Sequence, residues 1–260
     1  MRAKWGGVLT GLVGASTIAE NIEKETMAES DYQRLAGKFV VFDGPDGCGK
    51  TTQMKRFLEK AEGAGVRIRR FREPGGTPIG EQIRDLLLST KNQEMDMRCE
   101  MLLYMASRAQ LVQEQIRPAL EAGECVLADR FASSTLAYQG GGGGLSSTAI
   151  LQVAEIAVDG AWPHLTVVFD LPTDVAMSRL NPLWAAGKKR GDVNQNPLFD
   201  DSAVKDRIEQ RARDFFERVR ENYLWQAKQW PERYRVVDAS KTIAQVEKQV
   251  MKVVGEFFGD

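Results

Sequence analysis

One short stretch of the sequence has residue types and spacing suited to holding phosphate groups. Residues 44–51 read GPDGCGKT and match the pattern G-x-x-x-x-G-K-[ST] at every fixed position. Glycines let backbone N–H groups converge on phosphate oxygens, and a helix that starts after such a loop adds positive potential. Lys50 would place a charge on the β- and γ-phosphates, and the Thr51 hydroxyl would bind Mg²⁺. The motif predicts a nucleoside triphosphate site formed by Gly44, Pro45, Asp46, Gly47, Cys48, Gly49, Lys50, Thr51 and Thr52.

Two other charged positions suit the same chemistry. Asp129 and Arg130 follow an apolar run at 125–128, where an aspartate could organise Mg²⁺ and an arginine could bind a phosphate through two hydrogen bonds. A salt bridge at the end of a strand is the alternative for this pair. Arg72 opens a loop, REPGGT, in which proline and glycines enforce a turn. For Arg72 the alternative is an ordinary surface arginine.

The elements that must position these residues alternate along the chain. Short strand-like runs occur near 39–42, 66–71, 125–128, 165–171 and 234–237. Helical patterns lie near 49–62, 78–89, 97–121, 146–158, 173–181, 204–229 and 242–258. This alternation predicts an α/β fold with a parallel sheet covered on both faces. Ligands bind at the carboxyl edge of such sheets, so the loop at 44–51, Arg72 and Arg130 should meet there. The combination indicates phosphoryl transfer between nucleotides.

The composition excludes several other classes of protein. The chain has 260 residues, 43% of them hydrophobic, and 35 basic against 36 acidic residues, a net charge of −1. A protein that grips nucleic acid through its phosphates usually carries a basic excess, so nucleic acid is not expected as a partner. Three scattered cysteines and one histidine argue against a disulfide scaffold or a zinc site. His164 is expected to be a residue at a strand entry. No apolar run is long enough for a membrane span, and no membrane partner is expected.

The chain resembles the bacterial thymidylate kinases in four stretches. These are FDGPDGCGKTTQ at 42–53, REPGGTPIGEQIRDLLL at 72–88, DRFASSTLAYQGGG at 129–142 and DRIEQRARDFFERVRENY at 206–223. The resemblance implies a P-loop kinase fold: a three-layer α/β sandwich with a five-stranded parallel sheet, helices on both faces and a lid segment. It also implies a cytoplasmic homodimer that phosphorylates dTMP to dTDP with ATP and Mg²⁺.

The resemblance also implies roles for individual residues. Arg72 and Arg130 would hold the dTMP phosphate, and Asp46 would accept the sugar 3′-OH. Tyr104 would stack on thymine and Arg108 would hydrogen-bond the base; a core aromatic residue and a surface cation are the alternatives. Tyr138 would pack on the deoxyribose and Gln139 would read the base. The expected substrate-binding set is Asp46, Arg72, Pro74, Tyr104, Arg108, Arg130, Ser134, Tyr138 and Gln139.

The expected catalytic and donor-site residues come partly from a lid at about 184–205. Within it, Arg190 of the Lys188-Lys189-Arg190 cluster is the best candidate for stabilising transferred charge, although a solvated basic turn is the alternative. Arg179 would pack against adenine. The catalytic set is therefore Lys50, Asp129, Arg130 and Arg190, with Thr51 and Asp129 as Mg²⁺ ligands. The lid is longer than usual for the family, and Gly143 stands where many relatives have arginine.

The first 37 residues do not fit the kinase pattern. They are expected to form an extension, disordered or not native, before a kinase domain at 38–260. A short apolar stretch near the start loosely imitates a signal peptide, and a start at Met27 is another interpretation. Residues 20–34 could form a short exposed helix.

Two other functions compete with dTMP phosphorylation. The nearer is a kinase of another nucleoside or deoxynucleoside monophosphate, against which Tyr138 and the pair Tyr104 and Arg108 argue. The more distant is a P-loop ATPase or GTPase switch. The near-zero net charge argues against such a protein if nucleic acid stimulates it.

Overall fold

The computed structural model describes residues 27, 29–180, 207–208 and 211–259. The five strands are β1 (Phe39–Asp43), β2 (Ile68–Arg72), β3 (Cys125–Asp129), β4 (Leu165–Asp170) and β5 (Tyr234–Asp238). The helices are α1 (Glu29–Gln33), α2 (Lys50–Gly63), α3 (Pro78–Leu88), α4 (Met97–Leu111), α5 (Arg117–Glu121), α6 (Ala132–Thr135), α7 (Ser147–Val158), α8 (Thr173–Leu180), α9 (Arg213–Gln229) and α10 (Ile243–Gly259). None of the described helices is long and apolar enough to cross a bilayer.

The strands form one sheet in the order β2-β3-β1-β4-β5, and every neighbouring pair is parallel. This confirms the predicted five-stranded parallel sheet. Strand β1 lies at its centre, and all five of its residues are buried because helices cover both faces. The carboxyl ends of β1, β2 and β3 lie side by side, since Phe42 is in register with Asp129 and Asp129 with Arg72.

Alternate residues of β1 point to opposite layers of the sandwich. Val40 and Phe42 belong to a core with side chains of α1, α2 and α10. Phe39 and Val41 belong to a second core with side chains of α4, α5 and α7. A third, smaller cluster joins α9 to the segment after α6. The fold is therefore the predicted three-layer sandwich.

Part of the predicted N-terminal extension packs on this body. Helix α1 lies within the stretch expected to form a short exposed helix, but Tyr32 and Leu35 are buried in the core. The Tyr32 hydroxyl lies 3.1 Å from the Met251 sulfur, and Met27 is also buried. Met27, Tyr32 and Leu35 thus contribute to the core, while Gln33, Arg34 and Ala36 are exposed.

Two segments differ from the sequence-based expectation. A run of glycines at 140–144 is typical of a loop whose backbone approaches another segment closely, but Leu136–Gly142 is a wide, π-helical continuation of α6. A similar wide turn, Val112–Ile116, joins α4 to α5 just before Pro118, which cannot donate a backbone hydrogen bond. The helix predicted from 204 begins at Arg213, and Ile208 lies in a turn.

Candidate active site

The phosphate loop lies between β1 and α2, as the motif requires. Gly44, Gly47 and Gly49 have positive φ angles of 141°, 77° and 91°. A Cβ on Gly44 would lie 2.6 Å from the Phe169 backbone oxygen, and one on Gly47 would lie 2.8 Å from the Ala176 oxygen. Only glycine fits at these two positions. Helix α2 starts at Lys50, so its free N–H groups and its dipole face the loop.

Lys50 lies inside the curve of the loop with only 7% of its surface exposed. Its Nζ donates to the Gly44 and Pro45 oxygens at 2.9 and 3.1 Å. The Cys48 sulfur lies 3.6 Å from the same nitrogen. Burial raises the pKa of the Cys48 thiol, although Lys50 and Arg130 oppose the rise. Cys48 is therefore a buried neutral thiol that fills space in the loop.

A cavity of about 360 Å³ opens in front of the loop. Lys50, Thr51 and Asp129 all line it, so the three side chains predicted to serve phosphates and Mg²⁺ face one space. A hydroxyl and a carboxylate are hard oxygen ligands of the kind that Mg²⁺ prefers. Within the described residues, no group of three or more histidine, cysteine, aspartate or glutamate side chains could hold a metal alone. The donor set fits an ion that completes its shell with phosphate oxygens and water.

Arg130 stands at the centre of the site in a left-handed backbone conformation, with φ of 71°. Such a conformation is unusual for a residue with a side chain and is retained where surrounding contacts enforce it. Its guanidinium forms an ion pair with Asp46 and lies 3.5 Å from the Asp43 carboxylate. It also donates to Gly44 O at 3.2 Å, Ser134 Oγ at 3.0 Å, Tyr138 Oη at 3.2 Å and Tyr223 Oη at 3.3 Å. Arg130 is thus paired with carboxylates at the start of the phosphate loop and not with its neighbour Asp129.

Asp43, the last residue of β1, is a fully buried carboxylate beneath Arg130. It accepts hydrogen bonds from Ser133 at 2.5 Å, Ser134 at 2.7 Å and Tyr223 at 2.6 Å. The Gly44 N–H donates to it at 2.8 Å. Burial raises the pKa of Tyr223, so its hydroxyl remains a donor. The network fixes the start of the phosphate loop relative to α6 and α9.

Asp46 projects from the phosphate loop toward the second half of the site. Burial alone would raise its pKa, but the charges of Arg130 and Lys50 and hydrogen bonds from Tyr138 and Arg130 outweigh burial and lower it. The Tyr138 hydroxyl donates to Asp46 Oδ2 at 2.9 Å. Asp46 is therefore an ionised acceptor that could take a hydrogen bond from a substrate hydroxyl.

The loop after β2 separates two charged pairs. Arg72 Nη2 lies 2.8 Å from the Glu81 carboxylate, at the mouth of the cavity. Glu73 lies behind it, buried, with Arg108 Nε and Nη2 at 2.8 and 2.6 Å from its Oε2. Burial raises the pKa of Glu73 to about 7, although Arg108 opposes the rise.

A second cavity of about 120 Å³ adjoins the first. Its lining includes the predicted substrate residues Asp46, Pro74, Tyr104, Arg130, Ser134, Tyr138 and Gln139. The structure thus brings most of the predicted set around one space. Arg108 is different: it is 1% exposed, bonded to Glu73 and to Thr135 Oγ1 at 3.1 Å, and does not line either cavity. It is a buried cation behind the wall, not the surface cation considered as its alternative.

Gln139 is held from behind by a buried carboxylate. Its Nε2 donates to Glu100 Oε1 at 2.7 Å. The other oxygen of Glu100 accepts from Arg207 and, at 2.6 Å, from Arg211. Glu100 is fully buried, and this cluster ties α4 to the DRIE stretch and to the cavity wall.

The remaining predicted residues line neither cavity or lie outside the described part of the chain. Arg179, on α8, donates to Gly47 O at 3.3 Å and to Ala239 O at 3.4 Å, and so bridges the phosphate loop to the turn after β5. Thr52 is exposed on the first turn of α2. Lys188, Lys189, Arg190 and the predicted lid lie outside the described residues. His164 Nδ1 accepts from the Phe39 N–H at 2.9 Å, as expected of a residue at a strand entry.

Several residues of the site were missed in the sequence, and Glu73, which lines both cavities, is one of them. Arg84 lines both cavities and donates to Pro74 O at 3.1 Å. Asp43, Glu100 and Tyr223 were not singled out either. A charge at the end of an apolar strand was a usable signal for Asp43, because a buried carboxylate needs partners. Tyr223 lies 180 residues from Asp43, and no spacing in the sequence links them.

Known proteins match the chain over most of its length. The family model for thymidylate kinase matches residues 42–250. The thymidylate kinase of Ectopseudomonas mendocina is 43% identical over 216 residues, which cover 83% of this chain and 94% of the relative. That of Bacillus pumilus is 38% identical over 220 residues, which cover 85% and 96%.

The fold matches a solved member of the same family. The crystal structure of thymidylate kinase from Ehrlichia chaffeensis aligns with a TM-score of 0.62 and 28% identity, over 84% of this chain and 98% of that chain. Sequence and fold agree on one assignment: the chain belongs to the thymidylate kinase family.

Proposed function

We propose that the protein transfers the γ-phosphoryl group of ATP to dTMP, giving ADP and dTDP, with Mg²⁺ bound at the phosphate loop. One observation carries this proposal. The cavity at the phosphate loop and the cavity lined by Tyr104 and Gln139 share the side chains of Asp46, Glu73, Arg84 and Arg130. A donor bound in the first cavity and an acceptor bound in the second would meet at these residues.

The chain's own groups would act by positioning and by charge. The loop N–H groups and Lys50 would hold the β- and γ-phosphates, and Thr51 and Asp129 would hold Mg²⁺. Bound Mg²⁺ supplies charge neutralisation to the phosphates. Arg72 and Arg130 would bind the acceptor phosphate through paired N–H groups. An acceptor phosphate is already anionic, so no general base is needed, and preorganised charge supplies the catalysis.

The second cavity suits a deoxynucleotide. Asp46 would accept the 3′-OH, with its charge maintained by Arg130 and Lys50. Tyr138, buried and fixed by Asp46, would crowd the 2′ position and so disfavour ribose. Tyr104 would stack on the base. Arg108 would support the base site from behind the cavity wall and would not contact the base, because its guanidinium is already paired with Glu73.

The donor side completes the proposal. Arg179, held between Gly47 and Ala239, would lie against adenine. Arg190 of the lid would stabilise charge on the transferred phosphoryl group, a role worth roughly 10³–10⁵ in rate in related systems. Lid closure would exclude water from both nucleotides and limit ATP hydrolysis.

We also propose a cytoplasmic homodimer. Helices α3, α4 and α7 pack side by side. They expose large apolar side chains: Ile79 and Leu86 on α3, Leu102 on α4 and Ile156 on α7. Ile156 is the most exposed of them at 81%, and apolar side chains exposed together on neighbouring helices mark a site of protein–protein contact. This face would be covered by a second copy.

The substrate assignment is tested by kcat/KM for dTMP, dUMP, dGMP and UMP with ATP and Mg²⁺. dTMP is expected to lead the series. A preference for another monophosphate would assign a different nucleotide kinase. ATP or GTP turnover that needs no acceptor would assign a P-loop switch instead.

The role of the phosphate loop is tested in the same assay with Lys50→Ala. Removing one preorganised cation is expected to lower kcat by at least about 10²-fold, with the thermal unfolding midpoint nearly unchanged. Lys55→Ala is the matched control, because Lys55 is on the same helix, 77% exposed and paired only at 3.9 Å with Glu59. Equal activity of the two variants would remove Lys50 from the mechanism.

A further inference from the structure

Glu100 is a buried carboxylate that the proposed phosphoryl transfer does not use. It lies in the first turn of α4 with no exposed surface. Its two oxygens have separate partners. Oε1 accepts from the Gln139 amide nitrogen at 2.7 Å, and Oε2 accepts from the guanidinium groups of Arg207 and Arg211.

This arrangement fixes the direction of the Gln139 amide. Two guanidinium groups, which can only donate, occupy the other oxygen of Glu100, and a carboxylate accepts hydrogen bonds but cannot donate one. Only the NH₂ end of an amide can face such a group, whichever way an amide is first assigned. Gln139 Oε1 is therefore directed away from Glu100. Gln139 itself lines the second cavity, where Oε1 is the one acceptor its side chain can offer.

We infer that Glu100 is a positioning residue that sets base specificity through Gln139. An outward acceptor favours a pyrimidine whose ring N3 carries hydrogen, as in thymine and uracil. In the same pose, cytosine would place its own N3 acceptor against Oε1, and two facing acceptors repel. The inference rests on the proposed function, because it assumes that a pyrimidine monophosphate binds in this cavity.

The arginines give Glu100 its fixed place. Arg207 Nε also donates to the Leu87 backbone oxygen at 3.0 Å, so this guanidinium is anchored at the end of α3. Arg211 lies over the Phe215 ring, 4.5 Å from its centre. Both arginines bind Oε2, and Oε1 remains the partner of Gln139. The two oxygens can therefore be tested separately.

The test measures dissociation constants of dTMP, dUMP and dCMP by titration calorimetry, with weak ligands measured by displacement of dTMP. In Glu100→Gln the new amide can donate or accept, so Gln139 is free to turn. The ratio of the dCMP to the dTMP constant is expected to fall about tenfold or more, the effect of losing one buried hydrogen-bond preference. The ratio for dUMP should stay within about twofold, because uracil carries the same N3–H.

Arg211→Gln is the matched control. It removes a partner from Oε2 and leaves the hydrogen bond at Oε1 in place, so it should lower the unfolding midpoint without changing either ratio. Ratios of constants do not depend on the fraction of folded protein, so a merely structural role of Glu100 would not move them.

A folded Glu100→Gln with an unchanged dCMP ratio would overturn the inference, and so would an equal change in Arg211→Gln. Where Glu100→Gln does not fold, Glu100→Asp takes its place. It keeps the charge for the arginines but withdraws the oxygen from Gln139, and an unchanged ratio there has the same meaning. A wild-type protein that does not bind dTMP would instead reject the proposed function.

Discussion

Glu73 shows how single charges in this site depend on burial. It is 5% exposed, and its pKa is raised from an ordinary 4.5 to about 7. In the pH interval between these values, the folded protein retains a proton that the unfolded chain has lost. Raising the pH through that interval therefore withdraws stability.

This gives a pH-dependent prediction. The unfolding free energy of the wild type minus that of Glu73→Gln should fall by up to about 3 kcal/mol as the pH rises from about 4.5 to about 8. Urea denaturation at several pH values measures it. Glu81→Gln is the control. The unfolding free energy of the wild type minus that of Glu81→Gln should not change with pH above about pH 5, because a hydrogen bond from the Gly76 N–H lowers the pKa of Glu81. Parallel curves for wild type and Glu73→Gln would contradict the prediction.

For single residues, the sequence could predict which side chains lie near one another in the site, but not which hydrogen bonds and ion pairs fix them there. The loop motif predicts that Lys50 and Thr51 face one space, and both line the same cavity, because the spacing of the motif sets the path of the backbone. The side-chain partners could not be predicted in the same way. Arg108, predicted to hydrogen-bond the base, is buried behind the cavity wall with its guanidinium 2.6 Å from the Glu73 carboxylate, and no spacing in the sequence indicates that pair.

Among the described elements, the wide turn Leu136–Gly142 and helix α9 pack closely against each other. A Cβ on Gly141 would lie 2.5 Å from the Asn222 Cβ and 2.9 Å from the Arg218 backbone oxygen. In the sequence, the glycine run predicts a loop whose backbone approaches another segment closely. Here the glycines are needed because α9 approaches the backbone of the turn, and the turn carries Tyr138 and Gln139 into the site.

Gly141→Ala should therefore be destabilising. Overpacking against α9 is expected to cost about 1–3 kcal/mol, measured by urea denaturation. Gly63→Ala is the control: a Cβ there meets nothing within 4 Å, so the change should be neutral or stabilise by up to about 1 kcal/mol. An equal effect of the two substitutions would mean that the close packing on α9 is not decisive.

The elements themselves were largely predictable. Alternation of apolar runs and helical patterns predicted five parallel strands, since strands buried on both faces read as continuous apolar runs. The start of α9 was placed nine residues early, because Ile208 fits the helical period but packs from a turn. A buried isoleucine is compatible with a helix and with a turn, so the apolar pattern in the sequence does not distinguish the two.

For the whole molecule, the exposed apolar face on α3, α4 and α7 predicts self-association. Sedimentation should give a mass twice the 29.0 kDa of one chain. Leu102→Glu should shift the protein toward monomer, because a dimer would have to bury an unpaired charge. Ile243→Glu is the control, as Ile243 on α10 is equally exposed at 52% and lies off this face. A monomeric wild type would exclude the proposed homodimer.

Both arginines proposed to hold the acceptor phosphate already have carboxylate partners within the chain: Arg72 is paired with Glu81, and Arg130 with Asp46. A lone small anion that entered the cavity would compete with these carboxylates for the same guanidinium groups. A ligand that also engages Asp46 through a hydroxyl avoids this penalty, because the carboxylate it separates from Arg130 receives a new donor. The internal pairs would thus weaken the binding of free inorganic anions relative to that of a phosphate carried on a sugar.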